Sequence, residues 1–334
     1  MSSGPEAEST SDGIPASEYP VTARAPGKCI LFGEHAVVHG RPELVFAIDL
    51  ETQITARRAE RWTLDGSAPA SGGNPYLDRA IADRAPPGPP LELTTVSRLP
   101  RAAGLGSSAA FLAALLAAFA AGSGGCERAE LADRAFRAEQ GAQGVGSPGD
   151  TAAAVGGGLL AINGGRGPIR WESSDGPRRW TVRAVPDPGW SWLVAYSGVP
   201  RSTGATVRSV GRRLAEPDGP RLLERFGEVA EAGIEAVAHE DRSRVGELLA
   251  ENHRLLVEVG VSHPRLEALI EAVRPACDGA KITGAGAGGS IVALPKPGRE
   301  LEAARRIGRA GGVAYPVRVA PVGATLLEGP LLGP

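Results

Sequence analysis

The chain has little to hold it together covalently and little to draw it toward a charged partner. Its 334 residues include three cysteines, Cys29, Cys126 and Cys277. They are few, odd in number and far apart, which excludes a disulfide framework or a zinc knuckle and suits a reducing cytoplasm. The net charge of −2 leaves no electrostatic footprint for nucleic acid. No apolar run reaches the ~18 residues that a membrane span needs. The nearest, FLAALLAAFAAG at 111–122, is short and alanine-rich, as a buried core helix is. Residues 1–19 are polar and acidic, with neither the basic nor the apolar region of a signal peptide, and read as a disordered tail.

Lysine is the scarcest choice of all. Of 36 basic residues only Lys28, Lys281 and Lys296 are not arginine, so each raises the question of what a guanidinium could not do there. Glycine and proline, by contrast, are plentiful at 46 and 28. Together they fall just short of the roughly 25–30% that marks a low-complexity chain.

A chain of this length suits about two domains of ~150 residues, and the pattern of elements changes character midway. In the first half, TARAPGKCILFGEH and LVFAIDLETQITARRA read as strands, LELTTVSRLP alternates as another, and 65–76 and 85–90 read as loops. RAAGLGSSAAFLAALLAAFAAG is a glycine turn running into a helix, with Ser107 or Ser108 expected at its N-cap. CERAELADRAFRAEQGA is a second helix, and AAAVGGGLLAING is a helix or turn leading into a strand. In the second half, strands WTVRAVP and SWLVAYSG precede three amphipathic helices, PRLLERFGEVAEAGIEAVAHE, RSRVGELLAENHRLLVEVG and HPRLEALIEAVRPA. KITGAGAGGSIVALP is strand, glycine loop and strand, LEAARRIGRAGG a helix, and VAYPVRVA a closing strand. Strands and helices mix without regular βαβ alternation, which favours an α+β fold over a doubly wound sheet.

Four segments carry the chemistry. GLGSSAA at 104–110 combines glycines, which let backbone approach a ligand, with a helix start whose free N–H groups and positive dipole end suit a phosphate. The same residues also describe an ordinary glycine turn with a serine cap. KITGAGAGGS at 281–290 satisfies G-x-G-x-x-G through Gly284, Gly286 and Gly289. A strand follows it instead of the helix a dinucleotide fold requires, and too little chain remains for such a domain. GSPGDTAAAVGGG puts Asp150 in a tight turn, which for an isolated aspartate is usually structural. GKCILFGEHAVVHG gathers Lys28, Glu34, His35 and His39 at a spacing that is neither helical nor H-E-x-x-H.

APGKCILFGEHAVVHG, LPRAAGLGSSAA and KITGAGAGGS, in that order, resemble the three signature motifs of the GHMP kinases, and GEHAVVHG is most similar to the version found in the family's mevalonate kinases. SGVPRSTGATV and HRLLVEVGVSHPRLEALI agree with them, so the resemblance runs over about residues 20–330. It implies an N-terminal domain similar to ribosomal protein S5 domain 2 over 20–185 and a ferredoxin-like C-terminal domain over 186–334, with the site in the cleft between them. It also implies ATP-dependent phosphorylation of the 5-hydroxyl of mevalonate, with Mg²⁺ as cofactor, no nucleic-acid or membrane partner, and a homodimer left open.

Residue by residue, Asp150 matches the family's catalytic aspartate and Lys28 the lysine beside it. Glu139 and Ser108 match the Mg²⁺ ligands. Glu34, His35 and Thr203 match positions near the substrate. Gly104, Leu105, Gly106, Ser107, Ser108, Ala109, Gly284 and Gly286 match the nucleotide loops. Three departures stand out: Gln143 where many animal enzymes have histidine, Ala287 where glycine is commoner, and PELVFAI in place of a PALA-like run. Related kinases of the 3-hydroxyl lack the Lys/Asp pair, so Lys28 and Asp150 favour the 5-hydroxyl. The alternatives are a GHMP kinase of another small alcohol, phosphomevalonate or a sugar, and a catalytically dead nucleotide-binding relative. Among the remaining residues, His239 and His253 read as surface or packing histidines, His263 as a helix start, and Cys29 as no nucleophile.

Overall fold

The computed structural model describes residues 19–68, 73–83, 90–122, 124–144, 146–200 and 203–327. The tail expected over 1–19 therefore lies almost wholly outside the described residues. The first half runs β1 (Val21–Phe32), β2 (Glu43–Arg58), β3 (Thr63–Leu64), α1 (Pro75–Ala82), β4 (Leu91–Ser97), α2 (Ser107–Ala121), α3 (Arg128–Gln143), α4 (Gly149–Gly156), β5 (Leu159–Ile162), β6 (Ile169–Asp175) and β7 (Arg178–Val185). The second runs β8 (Trp192–Tyr196), α5 (Thr203–Leu214), α6 (Gly219–Ala238), α7 (Arg242–Glu258), α8 (Pro264–Val273), β9 (Cys277–Thr283), β10 (Ser290–Pro295), α9 (Glu300–Arg309), β11 (Val313–Val317) and β12 (Thr325–Leu326).

Two sheets result. The larger has the order β12-β1-β2-β5-β7-β6, with β4 paired to β2 and the short β3 to β4; the smaller is β11-β8-β10-β9. Every strand pair is antiparallel except β3 with β4. The fold is thus α+β, as the unalternating element order predicts.

β1 changes character at Pro26/Gly27, where its register against β2 shifts. Pro26 has no N–H for the ladder, so an irregularity is expected there. Before it burial alternates, and after it every residue to Phe32 is buried, because both faces of the strand are covered. α2 and α4 pack on one side, while α6 and the second sheet approach from the other. α2 is apolar on all sides and has twelve of its fifteen residues buried, so it is a core helix. Among the described residues no helix is long and apolar enough to cross a membrane.

The sheets are stitched by side chains as well as by apolar contact. Thr283 on β9 bonds both the N–H and the C=O of Ile30 on β1, each at 3.0 Å. Ser290 on β10 donates to Ala103 O (2.8 Å), and the rings of Phe46 and Trp192 lie 5.5 Å apart. The glycine loop before α2 is therefore held from both halves of the chain.

Some elements differ from expectation. The N-cap of α2 is Gly106 at φ 72°, with no side-chain cap; Ser107 and Ser108 are the first two helical residues. A left-handed residue at this point is cheap only for glycine, and it leaves the first-turn amides unclaimed by any side chain. VAYPVRVA gives β11 but does not close the fold: β12 returns to pair with β1, Ala23 opposite Leu326. A two-residue strand is too short to show a period. α1 and α5 were likewise not expected: α1 is brief and prefaced by a loop-like stretch, and α5 is rich in Arg, Ser and Gly.

Candidate functional site

The cleft between the sheets is organised around Lys28. Its backbone N–H donates to Leu105 O (2.9 Å), tying β1 to the glycine loop. Its side chain is only 2% exposed, and Nζ lies 2.7 Å from Asp150 Oδ1, whose own side chain is 32% exposed. Asp150 is in the first turn of α4, just after Pro148. Lys28 thus joins β1, the glycine loop and the GSPGD turn at one point, with the carboxylate on the more open side.

Gly106 shows how closely these parts fit. A Cβ there would lie 2.6 Å from Lys28 Cγ, and its φ of 72° is one that L side chains rarely adopt. We predict that Gly106→Ala costs about 1–3 kcal/mol of backbone strain and pushes the Lys28 side chain off Asp150. Any activity that depends on this pair then falls by more than ligand affinity does, which steady-state kinetics beside a ligand titration checks.

Glu139 on α3 accepts from Ser108 Oγ (3.0 Å) and from the Gln143 amide (3.1 Å). Burial, followed by the charge of Asp150, pushes its carboxyl up to about 8. The amide at position 143 therefore does what a histidine N–H could do there, which is to donate to this carboxylate. A buried carboxyl raised so far, beside a hydroxyl and facing the same space as Asp150, suits a hard cation that supplies the missing positive charge. Among the described residues no group of three or more His, Cys, Asp or Glu could hold a metal.

The GEH loop is anchored from the second sheet. Glu34 and Lys281 form an ion pair that is almost wholly buried, 1% and 0% exposed, and Asn252 on α7 donates to Glu34 Oε2 (3.4 Å). Burial works to lower the pKa of Lys281, against the pull of Glu34. His35, at φ 64°, donates from Nε2 to Ala285 O (3.1 Å), which fixes the tautomer. Lys281, which had no role in the sequence, is thus the counter-charge of the first motif.

Two adjoining cavities share Asp150 and Gln143. One is lined by Lys28, Glu34, His35, Glu43, Glu139 and Gly284. The other is lined by Gly104, Gly106, Ser107, Ser108, Thr52 and Tyr76. Gly284 faces the first of these rather than the cavity of the GLGSS loop. Gly286 packs on Val261, whose carbonyl would stand 2.4 Å from a Cβ there. Ala287 adopts φ 58° and donates its N–H to Val261 O (2.7 Å). Leu105 and Ala109 are buried, so only their backbone can meet a ligand. Thr203 begins α5, and its side chain lies outside what is described.

Sequence reasoning missed Glu43, Asn252 and Tyr76. Glu43 is the first residue of β2, 1% exposed; a lone carboxyl in the apolar run PELVFAI was the available signal. Burial of Cys29 drives its thiol up to about 12, which leaves it inert as a nucleophile. His253 reaches Glu267 (3.3 Å), His239 bonds Glu235 O (2.8 Å), and His263 caps α8 by accepting from Arg265 N (3.1 Å).

Comparison with known proteins gives two family matches. The model for the GHMP kinases N terminal domain matches residues 76–158, and that for GHMP kinases C terminal matches 234–314. The mevalonate kinase of Pyrococcus horikoshii is 32% identical over 349 residues, 92% of this chain and 98% of that protein. The mevalonate kinase of Archaeoglobus fulgidus is 33% identical, covering 82% of this chain and 92% of that protein. The crystal structure of L. major mevalonate kinase in complex with R-mevalonate superposes with a TM-score of 0.76 at 23% identity, over 92% of this chain and all of that one.

Proposed function

The chain belongs to the GHMP kinase family, and on that premise we propose that it transfers the γ-phosphoryl group of ATP to the 5-hydroxyl of (R)-mevalonate. The observation that carries this is the buried Lys28 ammonium 2.7 Å from Asp150, beneath the glycine loop at the start of α2. Phosphoryl transfer asks for alignment and for neutralisation of spread negative charge, with little covalent work by the protein. Each part of the site answers one of those needs.

The unclaimed amides of the first turn of α2 and the loop of Gly104–Ser108 receive the phosphates, helped by the positive end of the helix. Lys28 bridges from the transferring group to Asp150. Asp150, paired with that ammonium, accepts the proton of the attacking hydroxyl or orients it. A compact ammonium fits in the narrow space under Gly106, where a planar guanidinium has a different reach. Ser108 and Glu139 would hold Mg²⁺, which would supply positive charge against that of the nucleotide. Glu34, His35 and Thr203 border the acceptor, as the resemblance implies, and Glu34 and His35 are fixed by contacts from the second sheet that leave little room for motion. The family's two domains, taken as 20–185 and 186–334, contribute opposite walls. We assign the enzyme to the cytoplasm, in keeping with its three free thiols.

The test is ADP release with mevalonate, phosphomevalonate and galactose as acceptors. Turnover with mevalonate and little with the other two is expected. Absence of turnover with mevalonate overturns the assignment, and preference for one of the others transfers it to that alcohol.

A further inference from the structure

Glu43 has no part in the mechanism just described, yet it is among the residues that line the first cavity. It is the first residue of β2, paired with Ile162 of β5, and is 1% exposed. Above it runs the turn that presents Asp150. Ser147 Oγ donates to Glu43 Oε2 (3.4 Å). A Cβ on Gly149 would stand 2.2 Å from the same oxygen, so the carboxyl is pressed against the residue just before Asp150. The start of the GEH loop packs as closely on its backbone: a Cβ on Gly33 would lie 2.6 Å from Glu43 Cα.

The charged groups that face it are Asp150 from α4, Lys28 from β1, Glu34 from the loop after β1 and, more weakly, Lys281 from β9. Lys28 already spends its charge on Asp150 and Glu34 is neutralised by Lys281. Among the described residues Glu43 therefore forms no ion pair of its own. Burial, then Asp150, pushes it up to about 8, Lys28 pulling the other way. Burial and Asp150 both favour its protonated form. An ionised Glu43 puts a second anion beside Asp150 in a poorly solvated space, where unscreened charges interact strongly.

We propose that Glu43 is a positioning residue for the Lys28–Asp150 pair and serves it as a neutral acid: lodged under the turn that presents Asp150, it leaves Lys28 to that aspartate alone, and once ionised it draws Lys28 away. This rests on the assignment of Lys28 and Asp150 as the phosphoryl-transfer pair.

The experiment is the pH profile of kcat/KM for mevalonate at saturating MgATP, a condition that keeps Glu139 metal-bound and ionised. Wild type is expected to lose activity above about pH 8, roughly tenfold per pH unit once Glu43 is mostly ionised. Glu43→Gln has the same shape and cannot ionise, so its profile lacks that fall or shifts it upward by at least about one pH unit. A wild-type profile with no alkaline limb, a variant profile that superimposes on it, or a folded variant inactive at every pH overturns the proposal. If Glu43→Gln does not fold, difference infrared spectroscopy of the wild-type Mg·ADP complex decides. A carboxylic-acid C=O band that titrates away above pH 7 supports the proposal, and its absence overturns it. Asp150→Asn separates the two failures. An active Asp150→Asn brings down the pair and Glu43 with it, whereas an inactive one beside an unchanged Glu43→Gln profile brings down Glu43 alone.

Discussion

Asp150→Asn is expected to lower kcat by about 10²–10⁴-fold, the range for loss of a positioned general base, while ATP still binds. Asparagine keeps the shape and the place in the first turn of α4 but carries no charge. It can neither take the hydroxyl proton nor pair with Lys28, whose side chain is 2% exposed. In the empty variant that ammonium is left poorly compensated, and bound phosphate restores its partner. ATP should therefore raise the thermal stability of the variant at least as much as it raises that of wild type. Single-turnover kinetics and a nucleotide thermal-shift titration check the two halves. Activity within tenfold of wild type contradicts the role given to Asp150.

The second large effect is on stability. Lys281→Met removes the counter-charge of Glu34, a carboxylate 1% exposed, whose other contact is the Asn252 amide at 3.4 Å. Breaking one side of a buried ion pair costs about 3–5 kcal/mol, because the remaining charge stays out of water. Chemical denaturation measures this directly. Adding Glu34→Gln to Lys281→Met should recover most of the loss, since two neutral side chains of similar size can be accommodated where one stranded charge cannot. A single Lys281→Met variant as stable as wild type contradicts the buried pair.

These two lysines show what was legible in the sequence and what was not. Lys28 could be read because its neighbours in the chain carry the motif: glycine before it and GEH after it are local, and locality is what a sequence displays. Lys281 sits at the edge of an equally local motif, but its meaning lies in Glu34, 247 residues away, and nothing in either segment names the other. Glu43 was visible as a carboxyl in an apolar strand, though which buried groups face it depends on how α4 lands on β1 and β2. The α+β class followed from element order. The return of β12 to β1 did not, because two residues show no period. Ser107 and Ser108 read as caps by propensity, yet the chain caps α2 with left-handed Gly106. The serines are thereby moved into the first turn, where their amides face the cavity. Gln143 looked like a departure, and its amide donates to Glu139 as an imidazole N–H could.

What remains is the product. After turnover of (R)-mevalonate with ATP, NMR of the product fixes the phosphorylated oxygen through the coupling of phosphorus to the neighbouring protons. Phosphorus coupled to the C5 methylene protons is the result expected from a hydroxyl delivered to Asp150 beside Lys28. A phosphate on the 3-oxygen, or unphosphorylated mevalonate with ATP intact, contradicts it.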